Sequence, residues 1–285
     1  MKFTQEKSDI FVPDGTSPEK ALQRTTHLAI AAHPDDVEIM AYEGIASCFH
    51  QPDHWFTSVT VTDGSTAPRA FLYSNFTNEQ MAAMRAEEQR KAGVLGEYSA
   101  VVQLAYPSSS AKDPKDNSVV KDLISILTLT HPKIIYTHNL ADKHDTHIAV
   151  TLRVIEALRS IPKEHQPESV LGCEVWRDLD WLVDQDKKVM DVSAHPNLAS
   201  ALVAVFDTQN SGSKRYDIAS IGRRTANAIY HESHATGGIS MLSFAMDLTP
   251  LIHDPDLDPI DHVSNLIANF RRDVSERIQS LKDKP

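Results

Sequence analysis

Cysteine is scarce in this chain of 285 residues, since Cys48 and Cys173 are the only two. Two cysteines are too few for a disulfide framework and fit a reducing compartment. Long apolar runs are also missing, because no stretch approaches the roughly 20 residues that cross a bilayer. The first seven residues, Met1 to Lys7, lack the apolar core of a signal peptide. We therefore expect a soluble cytoplasmic protein.

Positively charged residues are fewer than negatively charged ones. The chain has 28 Lys and Arg against 39 Asp and Glu, which gives a formal net charge of −11 at pH 7. Nucleic acids and anionic membranes both bind to clustered Lys and Arg, so the composition argues against either as a partner. The length suits one large α/β domain with a sizeable core.

The most informative segment joins an apolar run, residues 28–32, to the residues His33, Pro34, Asp35 and Asp36. The run predicts a buried strand that stops at the proline, because proline cannot donate to the ladder. The imidazole and the two carboxylates then follow the carboxyl end of a strand, where open α/β sheets bind ligands. Adjacent carboxylates repel each other, and a divalent cation bound by one of them would relieve that repulsion. The other carboxylate would be left near a metal-bound water.

A second cluster of histidine and aspartate, residues 142–147, follows another strand-like run at 133–137. It contains His144 and His147, and His138 lies slightly upstream. A catalytic zinc takes three protein ligands and keeps one position open. The first cluster offers an imidazole and an aspartate, so the second must supply the third ligand. Because parallel strands end at one edge of a sheet, we expect the two clusters to converge.

Strand and helix signals alternate along the chain, which indicates an α/β, Rossmann-like, mostly parallel sheet flanked by helices. The predicted strands are 26–32, 55–62, 99–104, 133–137, 169–176 and 187–193, and the predicted helices are 77–96, from 117, from 148, 197–209, 214–230 and 260–282. We expect an irregular N-terminal arm over 1–25 and a single domain over 26–285. The last helix carries an apolar stripe, which would pack against the core or against another subunit of a homo-oligomer.

Four motifs together resemble the PIG-L/LmbE family of zinc-dependent N-deacetylases, in the family's order. The match covers roughly residues 25–160, and the four motifs are His33-Pro34-Asp35-Asp36-Val37-Glu38, Val61-Thr62-Asp63-Gly64, the helix with Arg85 and Glu88, and His144-x-x-His147. The resemblance implies one Zn²⁺ per chain with His33, Asp36 and His147 as its ligands. It also implies that Asp35 is the general base and that His144 steadies the oxyanion.

The second motif departs from the family at one position. Relatives carry Asp directly before the final histidine, whereas this chain has Thr146 there. A hydroxyl cannot stabilise a charged imidazole as a carboxylate does. We therefore expect Asp142 or Asp145 to hold the far nitrogen of His144 and to raise its pKa.

Substrate contacts are open to more than one interpretation. Arg85 would grip a sugar hydroxyl or phosphate, or else pair with Glu88 one helical turn away. Asp63 is expected at a turn that lines the pocket, and His234 lies in a polar segment, 230–238, that would face the substrate. Adjacent arginines at 223 and 224 are interpreted as a solvated helix face.

These features predict a metal-dependent amidohydrolase that removes acetyl from an N-acetylated amino sugar or its conjugate. Metal lowers the pKa of a bound water, and Asp35 can accept its proton and pass it to the leaving nitrogen. One alternative is a metal-dependent phosphoesterase, although two-metal sites need more ligands than the two clusters offer. The other is a non-catalytic sugar-binding protein that retains a zinc.

Overall fold

The computed structural model describes residues 1–231 and 238–282, and within them one eight-stranded sheet forms the centre of the molecule. Its strands are β1 (Asp9–Phe11), β2 (His27–Ala31), β3 (Phe56–Thr62), β4 (Ala100–Tyr106), β5 (Ile134–His138), β6 (Ser169–Cys173), β7 (Lys187–Asp191) and β8 (Leu242–Asp247). Their order across the sheet is β1-β4-β3-β2-β5-β6-β8-β7. The five central strands run parallel, while β1, β8 and β7 pair antiparallel at the two edges. The expected mostly parallel α/β sheet is confirmed.

Helices cover both faces of this sheet. They are α1 (Pro18–Gln23), α2 (Asp36–Met40), α3 (Tyr42–Cys48), α4 (Asn78–Leu95), α5 (Ser108–Lys112), α6 (Ser118–Thr130), α7 (Asp145–Ser160), α8 (Pro196–Ala204), α9 (Asp207–Gln209), α10 (Tyr216–Tyr230), α11 (Thr249–His253) and α12 (Pro259–Lys282). A π-helical turn, Asn210–Lys214, joins α9 to α10. None of the described helices is both long and apolar enough to span a membrane.

Strand β2 lies between β3 and β5 and is buried along its whole length. Leu28 and Ile30 point into the core that α6 and α7 cover, while Ala29 and Ala31 point into the core on the opposite face. Apolar residues on both sides are typical of parallel strands, which helices cover on both faces. This burial fixes the position of the loop that follows β2, where the first motif lies.

The N-terminal arm differs from the expectation. Within residues 1–25, β1 pairs with β4 and α1 buries Ala21 and Leu22 in the core. Both elements are short, three and six residues, so their sequences contain too few periods to give a pattern. Their structure depends on contacts with the rest of the fold.

Strand β8 was not predicted either. Its sequence, Leu-Ser-Phe-Ala-Met-Asp, contains no β-branched residue, and such residues are the main local signal of a strand. The pairing with β6 and β7 supplies what the local sequence lacks.

The last helix, α12, has no fully buried residue in its described length. Val263 and Leu266 contact the core, whereas Ile267, Phe270 and Ile278 along the same stripe are 51%, 39% and 55% exposed. The apolar stripe therefore contacts this chain over the first half of the helix, where the ring of Phe270 also lies 6.5 Å from that of Trp181 between centroids, and it is exposed towards Ile278.

Candidate metal centre and catalytic site

The two His/Asp clusters meet at the carboxyl edge of the sheet, because β2 and β5 are neighbours. Three side-chain atoms form a small triangle there: Nδ1 of His33, Oδ2 of Asp36 and Nε2 of His147. Its edges are 3.1 Å from His33 to Asp36, 3.2 Å from His33 to His147, and 3.3 Å from Asp36 to His147. These are the three residues that the resemblance implied as ligands.

The triangle has the dimensions of a zinc site. Zinc binds imidazole nitrogen and carboxylate oxygen at roughly 2.0–2.2 Å in tetrahedral geometry, so the ligand atoms lie about 3.3–3.4 Å apart. The observed edges are within about 0.3 Å of that spacing. Three protein ligands would leave a fourth position open, which is the arrangement of catalytic zinc sites. The residues present therefore fit a divalent ion.

Asp36 is held in place by its own loop and is ionised. Its Oδ2 accepts the backbone N–H of His33 at 2.8 Å. Burial alone would raise the pKa of Asp36, but His147, His33 and His138 surround the carboxylate and hold its pKa well below the usual range. A buried carboxylate among imidazoles is a strong ligand for a cation.

His147 has a second carboxylate behind it. Its Nδ1 lies 3.4 Å from Oδ2 of Asp142, while its Nε2 faces the triangle. Burial lowers the pKa of His147, but Asp36 and Asp142 outweigh burial and raise that pKa to about 9. A carboxylate on the far nitrogen of a ligating histidine fixes its orientation and increases its basicity.

His138 is close to the centre but cannot serve as a ligand in this arrangement. Its Nε2 lies 3.6 Å from Oδ2 of Asp36 but accepts the backbone N–H of Ala32 at 2.9 Å, which uses its lone pair. The ring proton must then be on Nδ1, which has no partner among the described residues. Burial holds the pKa of His138 well below its usual range, so the ring is neutral. It packs against the ring of His147 at 3.8 Å between centroids.

Asp35 lies beside the triangle in an unusual conformation. Its φ is 95°, in the left-handed region that few residues other than glycine adopt. Arg85 pairs with its Oδ2 at 3.0 Å, and the side chain of Gln89 accepts its backbone N–H at 3.3 Å. Burial raises the pKa of Asp35 to about 7, although the nearby guanidinium acts in the opposite direction. A carboxylate with a pKa near neutrality is suited to proton transfer.

Arg85 holds the two motif loops together. Besides Asp35 it donates to the carbonyl of Pro34 in the first loop and to that of Gly64 in the second, the latter at 3.5 Å. The alternative pair with Glu88 does not form, because Glu88 accepts the backbone N–H and hydroxyl of Thr208 at 2.7 and 2.6 Å. Arg85 lines the cavity, but its described contacts position Asp35 and these loops.

His144 corrects the expectation that a carboxylate holds its far nitrogen. Its Nδ1 accepts the backbone N–H of Thr146 at 3.3 Å. Asp142 contacts the backbone of His144 and not its ring, by accepting the backbone N–H at 3.1 Å. No described contact joins Asp145 to the ring. Burial lowers the pKa of His144 to about 4, helped by His147 and His33. The ring is therefore neutral, with its proton on Nε2.

These residues lie in a cavity of 480 Å³. Its lining includes His33, Asp35, Asp36, Asp63, Arg85, His144, Trp176, Gln209, Lys214 and Tyr216. Asp63 accepts the backbone N–H of Ser65 at 2.9 Å, so it is the turn residue that the sequence predicted. Such a volume holds a ligand of the size of a monosaccharide or disaccharide.

Sequence reasoning missed several residues around the site. Arg224 is only 2% exposed rather than solvated, and it donates to the carbonyls of Glu38 and Ile39. Glu38 accepts hydrogen bonds from Gln89 and Tyr98, and burial raises its pKa to about 8. Glu38 belongs to the first motif and Arg224 to a pair of arginines, but neither pattern indicates that the side chain is buried. His234 lies outside the described residues.

Comparison with known proteins bears on the family. The family model described as "PIG-L: GlcNAc-PI de-N-acetylase" matches residues 28–158, which contain all four motifs. Residues 28–158 form a PIG-L family domain. The resemblance read from the sequence is thereby confirmed for that segment. No curated protein sequence matches the chain significantly.

Solved structures share the fold of the PIG-L domain and of the segments that follow it. 4-Carboxy-2-hydroxymuconate hydratase GalB from Pseudomonas putida KT2440 is 16% identical with a TM-score of 0.62, covering 79% of this chain and 96% of its own. N,N'-diacetylchitobiose deacetylase from Pyrococcus horikoshii is 17% identical with a TM-score of 0.60, and the match covers 81% of this chain and 86% of the deacetylase. A zinc-inhibited form of the teicoplanin deacetylase Orf2 is 15% identical with a TM-score of 0.52, and the match covers 78% of this chain and 97% of Orf2.

Proposed function

We propose that this protein is a zinc-dependent hydrolase that removes the N-acetyl group from an N-acetylated amino sugar or its conjugate. The observation that carries the proposal is the triangle of His33, Asp36 and His147, with the carboxylate of Asp35 beside it in one cavity. The PIG-L domain supports the reaction class. Deacetylases among the structures of the same fold, one of them in a zinc-inhibited form, are consistent with it.

His33, Asp36 and His147 would hold the ion, which supplies a water nucleophile with a pKa near 7 and polarises the amide carbonyl. Asp35 accepts the proton of the attacking water, because its raised pKa places it close to neutrality. It then carries that proton to the departing nitrogen. Arg85 holds the carboxylate in position through both steps.

His144 contributes as a neutral hydrogen-bond donor. With Nδ1 occupied by the backbone N–H of Thr146, its Nε2–H is available to the cavity. A neutral imidazole can stabilise developing negative charge on oxygen, as the neutral histidine of triosephosphate isomerase does. Because the ring does not need to be protonated, this role does not require a carboxylate partner.

The proposal is tested by metal analysis followed by an assay of acetate release. Protein loaded with one equivalent of Zn²⁺ is incubated with N-acetylglucosamine and N,N'-diacetylchitobiose, and acetate is quantified. We expect acetate release that a chelator abolishes and Zn²⁺ restores. Zinc binding without acetate from any N-acetyl sugar would favour the non-catalytic sugar-binding alternative. Release of phosphate from a phosphoester would favour the phosphoesterase.

A second candidate is hydration of an unsaturated carboxylic acid. The hydratase GalB shares the fold, and Lys112 and Lys214 line the cavity, where they could hold carboxylates. Hydration consumes a conjugated double bond, so it is detected as a loss of ultraviolet absorbance without acetate release. The two activities are therefore distinguished in one experiment.

A further inference from the structure

A second cavity, of 360 Å³, adjoins the catalytic one, and Trp176, Lys214 and Tyr216 line both. Trp176 contributes to the wall of both, and its ring centroid lies 6.3 Å from that of His144 and 6.3 Å from that of Tyr216. A ligand with one end at His144 can therefore extend past the indole into the second cavity.

The wall of this second cavity carries three cations, Lys214, Arg223 and Arg224. The ammonium of Lys214 lies 5.2 Å from the centroid of the Trp176 ring, and Arg223 donates to the carbonyl of Val175. Within the described residues, none of the three forms an ion pair with a carboxylate. In a chain with a net charge of −11, this local concentration of positive charge would favour a ligand of opposite charge.

The one acidic residue described in this wall, Glu174, does not neutralise the cluster. Its oxygens accept hydrogen bonds from the backbone N–H groups of Leu179 and Phe244 and from the amide of Asn227, at 2.7, 3.0 and 3.0 Å. Burial raises the pKa of Glu174. Glu174 interacts electrostatically with Arg223 and Arg224 without an ion-pair contact, and this one carboxyl group offsets at most one of the three cations.

Arg224 is the most deeply buried of the three cations. It is 2% exposed, and its Nη2 donates to the carbonyls of Glu38 and Ile39 at 2.8 and 3.0 Å. Its Nε and Nη1 have no hydrogen-bond partner among the described residues, although the guanidinium lies over the ring of Tyr42, 4.9 Å from the centroid. Buried guanidinium donors without acceptors are uncommon and costly. A negative charge in the adjoining cavity would compensate this buried cation.

We propose that the second cavity is a specificity subsite for a negatively charged group of the substrate. The inference rests on the proposed function for the other end of the ligand: the acetamide lies at Asp35, and a carboxylate or phosphate lies beyond Trp176. Lys214 and Arg223 bind that group, and the indole face packs against the atoms between. The substrate class is then an acidic N-acetyl amino sugar or conjugate.

The test measures binding without turnover. Zinc-loaded Asp35→Asn protein is titrated calorimetrically with neutral N-acetylglucosamine, with its 1- and 6-phosphates, and with N-acetylmuramic acid, which carries a carboxylate. We expect at least one acidic probe to bind tenfold or more tightly than the neutral sugar. The phosphate and carboxylate probes distinguish the two kinds of anion.

Substitutions then assign the preference to this cavity. In the Asp35→Asn protein, a second substitution, Arg223→Gln or Lys214→Gln, should reduce the preference for the acidic probe on the order of tenfold, as expected when one partner of a charge-assisted hydrogen bond is lost. Lys121→Gln, an exposed lysine on α6 outside both cavities, should leave it unchanged. Because Lys214 lines both cavities and Arg223 lines only the second, the subsite is refuted if no acidic probe binds more tightly than the neutral sugar, or if Arg223→Gln leaves the preference unchanged. A failure of deacetylation alone would refute the proposed function and leave these binding results standing.

Discussion

Zinc binding should compete with a proton on His147, and the structure sets the size of that competition. Without a bound ion, Asp36 and Asp142 raise the pKa of His147 to about 9. A nitrogen that ligates zinc must be deprotonated. Asp36 is already ionised and burial keeps His33 neutral, because its pKa is lowered. At least one proton, that of His147, should therefore leave for each ion bound between pH 7 and 8.5, and ionisation of the metal-bound water adds to it.

The expected magnitude follows from this linkage. Below the pKa of His147, the loss of its proton alone should lower the apparent Kd for Zn²⁺ about tenfold for each unit of rising pH, so that Kd is at least about tenfold lower at pH 8 than at pH 7. Competition against a chromophoric chelator gives the Kd at each pH. Calorimetry in two buffers of different ionisation enthalpy counts the protons. Equal Kd values at pH 7 and 8.5, or a binding heat independent of the buffer, would refute the assignment.

Asp142→Asn separates the two effects of the carboxylate behind His147. Its loss lowers the pKa of His147, so the pH dependence between 7 and 8.5 should flatten. At pH 9, where proton competition is small, loss of such an outer contact should weaken zinc binding about 10- to 100-fold. Asp145→Asn is the matched control, because Asp145 is exposed and has no described contact with either ring. An identical response of the two variants would show that Asp142 does not act through His147.

Four further results are expected. His147→Ala should lower both zinc content and activity, and full zinc occupancy in that variant would remove His147 from the ligand set. Asp35→Asn should keep its zinc but lower kcat about 10²- to 10⁴-fold; single-turnover acetate release within a few-fold of the parent would assign the base elsewhere. His144→Ala should lower kcat about 10²- to 10³-fold at unchanged zinc content. Because His144 is neutral, the pH profiles of kcat for the parent and this variant should have the same shape between pH 6 and 8. Glu38→Gln should stabilise the protein, and more at pH 8 than at pH 5. The pKa of Glu38 is raised from 4.5 to about 8 in the folded protein, so the folded state loses stability relative to the unfolded state as pH rises above 4.5 and the unfolded state ionises. Urea unfolding at both pH values measures this, and a stability difference independent of pH would contradict the raised pKa.

The parts of the fold that local patterns encode were predictable from the sequence. Apolar runs identified the parallel strands, and the capping box at Thr77 and Gln80 marked the start of α4. The antiparallel edges were not predictable, because β1 is three residues long and β8 lacks β-branched residues. Both depend on pairing with strands distant in the chain.

The candidate site was also predictable from the sequence only in part. The sequence predicted which clusters would meet, since His33 and His147 each follow a parallel strand and such strands end at one edge. It did not predict how the carboxylates are distributed. Asp142 contacts the far nitrogen of His147 and not that of His144. The same carboxylate also accepts the backbone N–H of Trp176 at 3.2 Å, a contact that depends on the fold and not on the local sequence.

That distribution explains why the centre does not need an aspartate at Thr146, where the resemblance implied one. A carboxylate behind His144 would favour its protonated form, and a charged ring would repel a cation held by His33 and His147, whose ring centroids lie 4.9 and 4.6 Å away. The backbone N–H of Thr146 instead directs a proton to the opposite nitrogen of His144 and leaves the ring neutral. Meanwhile Asp142 adds its negative charge on the far side of His147, where it strengthens a ligand. Without the ion, the proton on His147 balances part of the charge of Asp36 and Asp142, so the same two carboxylates that favour zinc also make its binding depend on pH.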